Sequence, residues 1–387
     1  MMDRNIRHNL IESSIMRQAK NPLTKEKLVV RDVINEIVDS DRYDVLYAAK
    51  RLPQPTTRSE IADYSNVSRQ TTSNHIAVLN DRGFVKSHES GIEITAGGKV
   101  LAESIEDCLD TLGRSELAYL SRSDYAIETL LTIYETNSRA SDLPHIISGE
   151  PSRSTIGRVL DSIGSEYGWT TEDSSILSIT SDGKEALVAY DELERAVEQL
   201  IEKADWLQRL PPGDATFPVH ELEDAYVIAS DTGKKAKALW GALKLCDSRT
   251  SRFRCVVSIY NPVLFNMYKM MLDMGIEAES VIDWETFNDI RREQETTFAA
   301  DESLYENYHP RYLDYAHTLG IGLYDDRKVA VGAYNEVGDG KEIAMIVSTN
   351  DALIEWATEL YDHYRSESKH PSEATTNTSG QPSAIAE

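Results

Sequence analysis

Side chains suited to recognition cluster between Thr57 and Gly98. Across Arg69 to Asn80, Thr72, Ile76 and Leu79 fall at i, i+4 and i+7, the spacing of one buried helical stripe. The same spacing turns Gln70, Ser73, Asn74 and Ala77 to the opposite face, with Thr71 beside them and Arg69 at the edge. A carboxamide offers a donor and an acceptor side by side, the pair that matches an adenine edge in the major groove. Arg58, Arg69 and Lys86 can meet phosphates, and His88 follows Lys86 on the same strand. The chemistry is non-covalent, with base edges read by amides and phosphates held by cations, so double-stranded DNA is the expected partner.

Bond-making chemistry finds no support in the motifs. No phosphate-binding loop, HExxH helix, cysteine metal cluster or nucleophile elbow occurs, so no catalytic residue, metal or cofactor is expected. Cys108, Cys246 and Cys255 have neither metal-ligand spacing nor disulfide density, which points to a reducing compartment. His220, His309 and His363 stand alone, and Asp325-Asp326 reads as a solvated hairpin turn. An effector pocket is expected around Tyr260, Asn261 and Asp283, because ligands of open α/β sheets gather at the carboxyl ends of strands; helix capping is the competing role for Asn261.

The elements that must position the recognition face are legible. Thr57 and Glu60 have capping-box spacing, Asn66 suits a turn, Ser68 is an N-cap and Gly83 a helix stop. Phe84–His88 and Ile92–Thr95 then read as a hairpin, and Asp41–Arg51 as a preceding helix, which together make a winged helix-turn-helix. The pattern recurs. Ser68–Phe84 resembles Ser152–Trp169, and Ile94–Lys99 resembles Ile179–Lys184, at offsets of 84 and 85 residues. A second winged helix is therefore expected, with Tyr125–Tyr134 as its first helix and Ile156, Val159, Leu160 and Ile163 turned inward. Its surface is acidic: residues 122–200 carry 6 Lys+Arg against 15 Asp+Glu, and Glu172 and Asp173 sit on its hairpin. A scaffold or dimer role is expected ahead of DNA contact, with Arg153 and Arg158 the residues that could still touch DNA.

A long helix is expected from Asp182 to about Arg209. On it Ala186, Tyr190, Leu193, Val197, Leu200, Ala204 and Leu207 alternate spacings of four and three, a heptad seam that predicts a homodimer. Leu210-Pro211-Pro212-Gly213 is a boundary. Beyond it, strands over Ala225–Ser230, Arg254–Tyr260, Ala278–Ile282, Ile321–Tyr324, Lys328–Tyr334 and Ile343–Ser348 alternate with helices over Lys234–Leu245, Pro262–Met274, Trp284–Glu295 and Ala352–Tyr364. The expected fold is multidomain α+β. It comprises an extension (1–40), winged helices (41–118 and 119–182), a connecting helix (183–210), an α/β effector domain (215–365) and a disordered tail (366–387).

Composition sets the surroundings. The net charge is −25, from 40 Lys+Arg against 65 Asp+Glu, the profile of a protein from a high-salt cytoplasm. Residues 1–112 hold 15 basic and 17 acidic side chains, so a phosphate-binding surface belongs in this first third. No run approaches 18 apolar residues, so a soluble cytoplasmic protein with no membrane partner is expected.

Ser152–Leu187 with its ITSDGK, the LPPGD…LEDAYV junction, SIYNPVLFNMYKMMLDMGIEAESVID, LGIGLYDDRKVAVGAYNE and DALIEWATELYDHYR follow one another in this order. Together, over residues 122–366, they resemble archaeal winged-helix transcription regulators of the methanogenesis-regulator type. That group is common in haloarchaea and is related to MarR-like and sugar-sensing archaeal regulators. The resemblance implies a winged helix on promoter DNA and a last domain that binds a small-molecule effector or mediates assembly. LGIGLYDDRKVAVGAYNE also resembles the core strands of phospholipase-D-like phosphodiesterases. That chemistry needs a Lys two residues after a His nucleophile, and Leu319 stands there after His317. The resemblance thus implies a degenerate, non-enzymatic copy of that fold. Two alternatives to a regulator stay open: a protein-interaction adaptor without sequence-specific DNA binding, and a degenerate phosphodiesterase.

Overall fold

The computed structural model describes residues 17–230, 237–247, 249–259, 261–287, 305–334 and 343–370. The chain divides into two compact units, Met1–Ala204 and Asp205–Glu387.

In the first unit, β1 (Gln18–Lys20) and β2 (Lys27–Val29) pair antiparallel and lead into α1 (Val30–Val38), which buries Val30, Val33, Ile34, Ile37 and Val38. The segment expected to be the first winged element follows as α2 (Arg42–Arg51), α3 (Arg58–Ser65), α4 (Arg69–Arg82), β3 (Val85–His88), β4 (Gly91–Ile94) and α5 (Ala96–Thr111). The second follows as α6 (Arg114–Arg122), α7 (Ala126–Thr136), α8 (Leu143–Ile146), α9 (Arg153–Leu160), β5 (Thr170–Asp173), β6 (Ile176–Ile179) and α10 (Ser181–Glu202). The repeat extends to the hydrogen bonds. Thr95 N–H donates to Phe84 O at 3.1 Å, and Thr180 N–H to Trp169 O at 2.9 Å. The Thr95 hydroxyl donates to Gly83 O at 2.7 Å, and that of Thr180 to Gly168 O at 2.9 Å. Both threonines cap the helix that follows, at Gly98 and Gly183.

The change of offset also has a structural counterpart. Gly83 lies 15 residues after Ser68, whereas Gly168 lies 16 after Ser152. The extra residue is absorbed as a π-helical turn, Asp161–Glu166, at the end of α9, leaving both flanking caps in place.

Two expectations need correction here. The long helix stops at Glu202 rather than Arg209, and a separate short helix, α11 (Ala204–Leu207), follows. The expected dimer seam is covered within the chain. Ala186, Tyr190, Leu193, Val197 and Leu200 are buried on α10, which packs on α5, α1, β1 and α7, and Ala204 and Leu207 are buried as well. Heptad-like spacing reports that one helix face is covered, not whose side chains cover it. The extension is tied to the same helix: Arg17 donates to Asp191 at 2.9 Å and Glu198 at 3.0 Å on α10.

The second unit is a seven-stranded mixed sheet in the order β10-β9-β8-β11-β12-β13-β7. Its strands are β7 (Tyr226–Ala229), β8 (Arg252–Val257), β9 (Glu277–Asp283), β10 (Tyr308–Leu313), β11 (Leu319–Tyr324), β12 (Lys328–Tyr334) and β13 (Ile343–Ser348). β8, β9 and β10 run parallel; the remaining neighbours are antiparallel. The helices are α12 (Lys237–Leu243), α13 (Pro262–Asp273) and α14 (Asp351–Glu367). β10 was not foreseen; Pro310 breaks the pattern, and the strand lies at the sheet edge, where a missing N–H is tolerated. The expected helix Trp284–Glu295 is described only to Phe287. Ser366 and Glu367 belong to α14, so the tail begins later than expected, and residues 371–387 lie outside the described set.

Candidate nucleic-acid interface

Local chemistry builds the first recognition element. Glu60 N–H donates to the Thr57 hydroxyl at 3.2 Å while the Glu60 carboxylate accepts from Thr57 N–H at 2.8 Å, closing the capping box of α3. Asn66 ends α3 in the left-handed region at φ 56°, and the Ser68 hydroxyl accepts from Thr71 N–H at 3.2 Å to open α4. Gly83 stops α4 at φ +85°, where a side chain would be strained and would press on Leu23. Ile61, Thr72, Ile76, Leu79 and Phe84 are buried beneath.

This fixes the outer face. Arg58, Arg69, Gln70 and Asn74 are exposed. Gln70 Nε2 donates to Asn74 Oδ1 at 3.4 Å, so the two carboxamides sit side by side one turn apart. Ser73 and Thr71 are half-buried, and the Thr71 hydroxyl is 2.8 Å from that of Ser68, which ties it to the cap. Arg58 and Arg69 have no carboxylate partner among the described residues. The wing is less basic than expected. Lys86 lies opposite Glu93 in the β3–β4 register, and His88 Nε2 is 3.7 Å from the same carboxylate. Glu93 therefore weakens the pull of both on phosphate.

In the second copy the Ser152 hydroxyl accepts from Thr155 N–H at 3.1 Å, and Arg153 and Arg158 are exposed without a carboxylate partner among the described residues. No amide stands on that face, and Glu172 and Asp173 are exposed on the hairpin.

In the second unit the expected pocket residues act as caps. Asn261 Oδ1 accepts from Leu264 N–H at 3.3 Å. Asp283, buried at 1% exposure, accepts from the N–H and the hydroxyl of Thr286, both at 2.8 Å. Tyr260 lies outside the described residues. A cleft of about 800 Å³ instead opens at the other end of the sheet, where β7 begins and β13 ends, with Lys237, Lys244 and Lys328 on its walls. Sequence reasoning passed over it, because its lining comes from segments far apart in the chain. His317 is buried against the ring of Tyr364, and burial pushes its pKa down to about 4, against a weaker pull from the Leu319 backbone. Among the described residues no group of three or more His, Cys, Asp or Glu could hold a metal, and no helix is long and apolar enough to cross a membrane.

Residues 32–117 match the family model of the HVO_A0261 N-terminal domain, and residues 243–367 match that of the methanogenesis regulatory protein FilR1, middle domain. No curated protein matches the chain. A phospholipase D family member, Nuc from Salmonella typhimurium, is 15% identical, covering 38% of this chain and 97% of its own, at a TM-score of 0.31. TrmBL2, an archaeal chromatin protein whose structure shows a novel mode of DNA binding, is 10% identical, covering 69% of this chain and 97% of its own, at a TM-score of 0.28. At these TM-scores both are distant partial likenesses. The FilR1 middle-domain match thus falls within the second unit and the other match spans the first winged element, each covering only part of the chain.

Proposed function

We propose that the chain regulates transcription by reading promoter DNA through the first winged helix. The observation that carries this reading is the exposed Gln70–Asn74 pair, one helical turn apart and flanked by Arg58 and Arg69. Gln70 and Asn74 face base edges, with Ser73 at the margin; Arg58, Arg69 and Lys86 hold phosphates, and His88 and Thr71 are secondary. The second copy supports the first, and Arg153 and Arg158 add weak phosphate contacts. Half-sites are met by a homodimer whose contact lies outside the buried α10 stripe. The chain works in a saline cytoplasm, and its second unit senses an effector without chemistry: His317 is buried, and Leu319 occupies the place a catalytic lysine would need. The test is selection of bound fragments from genomic DNA, followed by anisotropy titration across a salt series. A recurring motif bound with a negative slope of log affinity on log salt supports the reading. Equal binding to all fragments, or none, defeats it and leaves the protein-interaction adaptor.

A further inference from the structure

The 800 Å³ cleft is built from three separate parts of the second unit. Gly241 lets α12 lie against β7, since a Cβ there would press into Ile228. That packing brings Lys237 and Lys244, both exposed and without a carboxylate partner among the described residues, over the start of β7. Lys328 opens β12 beside the end of β13 and is held in place, donating to Leu245 O at 3.0 Å with Asp247 at 4.0 Å. Ser348 and the half-exposed ring of Tyr226 complete the walls; Asp224, exposed on the lining, is the one acidic residue there among the described residues. The unit that holds these lysines belongs to a chain of net charge −25. Three ammonium groups lining one cleft repel one another; Asp224 and Asp247 offset part of that repulsion, and an anion bound between the lysines would offset more.

We infer that this cleft binds a small phosphate-bearing molecule, with the phosphate between Lys237, Lys244 and Lys328 and its body against Tyr226 and the apolar walls. The volume suits a metabolite-sized ligand. The cations are lysines, point charges suited to phosphate, and among the described residues no arginine fork lines the cleft to grip a carboxylate side-on. The site stands on the cleft alone; its part in regulation rests on the function proposed above.

The test uses the full chain and inorganic pyrophosphate, with citrate as the comparison anion, measured by isothermal titration calorimetry without DNA. Pyrophosphate should bind at one site per chain, more tightly than citrate, and less tightly as salt rises. Lys237→Glu with Lys244→Glu should weaken it at least tenfold, whereas Lys269→Glu on α13 should leave it unchanged. If the double charge reversal unfolds the chain in thermal denaturation, Lys237→Gln with Lys244→Gln replaces it. Absence of binding, equal affinity in the double variant, or citrate binding as tightly as pyrophosphate overturns the inference. Because DNA is absent, loss of promoter binding elsewhere would sink the regulator reading and leave this site standing.

Discussion

Gly98 and Gly183 occupy the same place in the two winged elements, each in the first turn of the helix after a hairpin. A Cβ at Gly98 would overlap the carbonyl oxygen of Phe84, and one at Gly183 that of Trp169. Around these glycines the copies share threonine caps, serine caps and buried stripes. On the surface they part: the first shows Gln70 and Asn74 on its outer face, the second has Ser154 and Arg158 at those places and Glu172 and Asp173 on its hairpin. Positions with one steric solution have stayed alike, while positions facing solvent were free to take different work. The difference teaches where to look for function, because shared residues report the frame and differing ones report the task.

The π-helical turn gives the largest test of this comparison. Deleting Asp81 from α4 turns Leu79 and the preceding stripe out of register with the hairpin. Lost burial of about 2–5 kcal/mol per large apolar side chain should unfold the first copy. Deleting Ser165, an exposed residue of the π turn, restores the 15-residue spacing of the first copy and should cost about 1 kcal/mol or less. Urea unfolding of both variants checks the contrast, and equal damage would mean that the extra residue is not a removable insertion.

Gly98→Ala and Gly183→Ala come next. Each forces the helix start away from a backbone carbonyl and should destabilise by about 3 kcal/mol, the upper range of overpacking. A neutral effect at either position, read from thermal unfolding, would show that the two junctions are not built alike.

Recognition separates the copies by a smaller energy. Gln70→Ala with Asn74→Ala should relax sequence preference by about 1–3 kcal/mol for each bidentate amide–base pair removed. Arg153→Ala with Arg158→Ala should weaken binding without changing which sequence is preferred. Competition titrations with selected and scrambled duplexes distinguish them, and a reversed pattern would move base reading to the second copy.

The smallest expected effect is a pH dependence that belongs to the second copy. Glu194 on α10 has its pKa raised to about 7, first by burial and then by Asp191, against the lowering pull of Arg17 and Arg31. Its counterpart 85 residues earlier is Leu109, which does not titrate. A carboxyl whose folded pKa lies above its unfolded value favours folding while protonated, so its contribution is lost as pH rises from about 4.5 to about 7. Glu194→Gln should raise stability at pH 8 by about 1–2 kcal/mol and flatten the change between pH 5 and 8, as measured by urea unfolding.

The caps, the left-handed stops at Asn66 and Gly83, and the repeat were legible because each rests on residues a few positions apart. The Gln70–Asn74 face was legible for the same reason: one helix presents it. The α10 stripe misled because an internal partner and a second chain leave the same apolar spacing. The lysine cleft went unseen because Tyr226, Lys237, Lys328 and Ser348 meet only once the sheet has formed. Asn261 and Asp283 do stand at strand ends, but capping takes up the hydrogen-bonding groups that a pocket would have offered.

The last described residues bear on solubility. β10 is an edge strand, and Tyr312 on it exchanges two backbone hydrogen bonds with Lys369, at 2.9 and 2.8 Å, while Arg311 reaches Ser368. An uncovered strand edge is a template for pairing with another chain. Ser368 and Lys369 thus cover that edge, and the Lys369 ammonium is paired with Asp314 beside it. A chain cut after Glu367 would keep its fold and lose its guard against self-association.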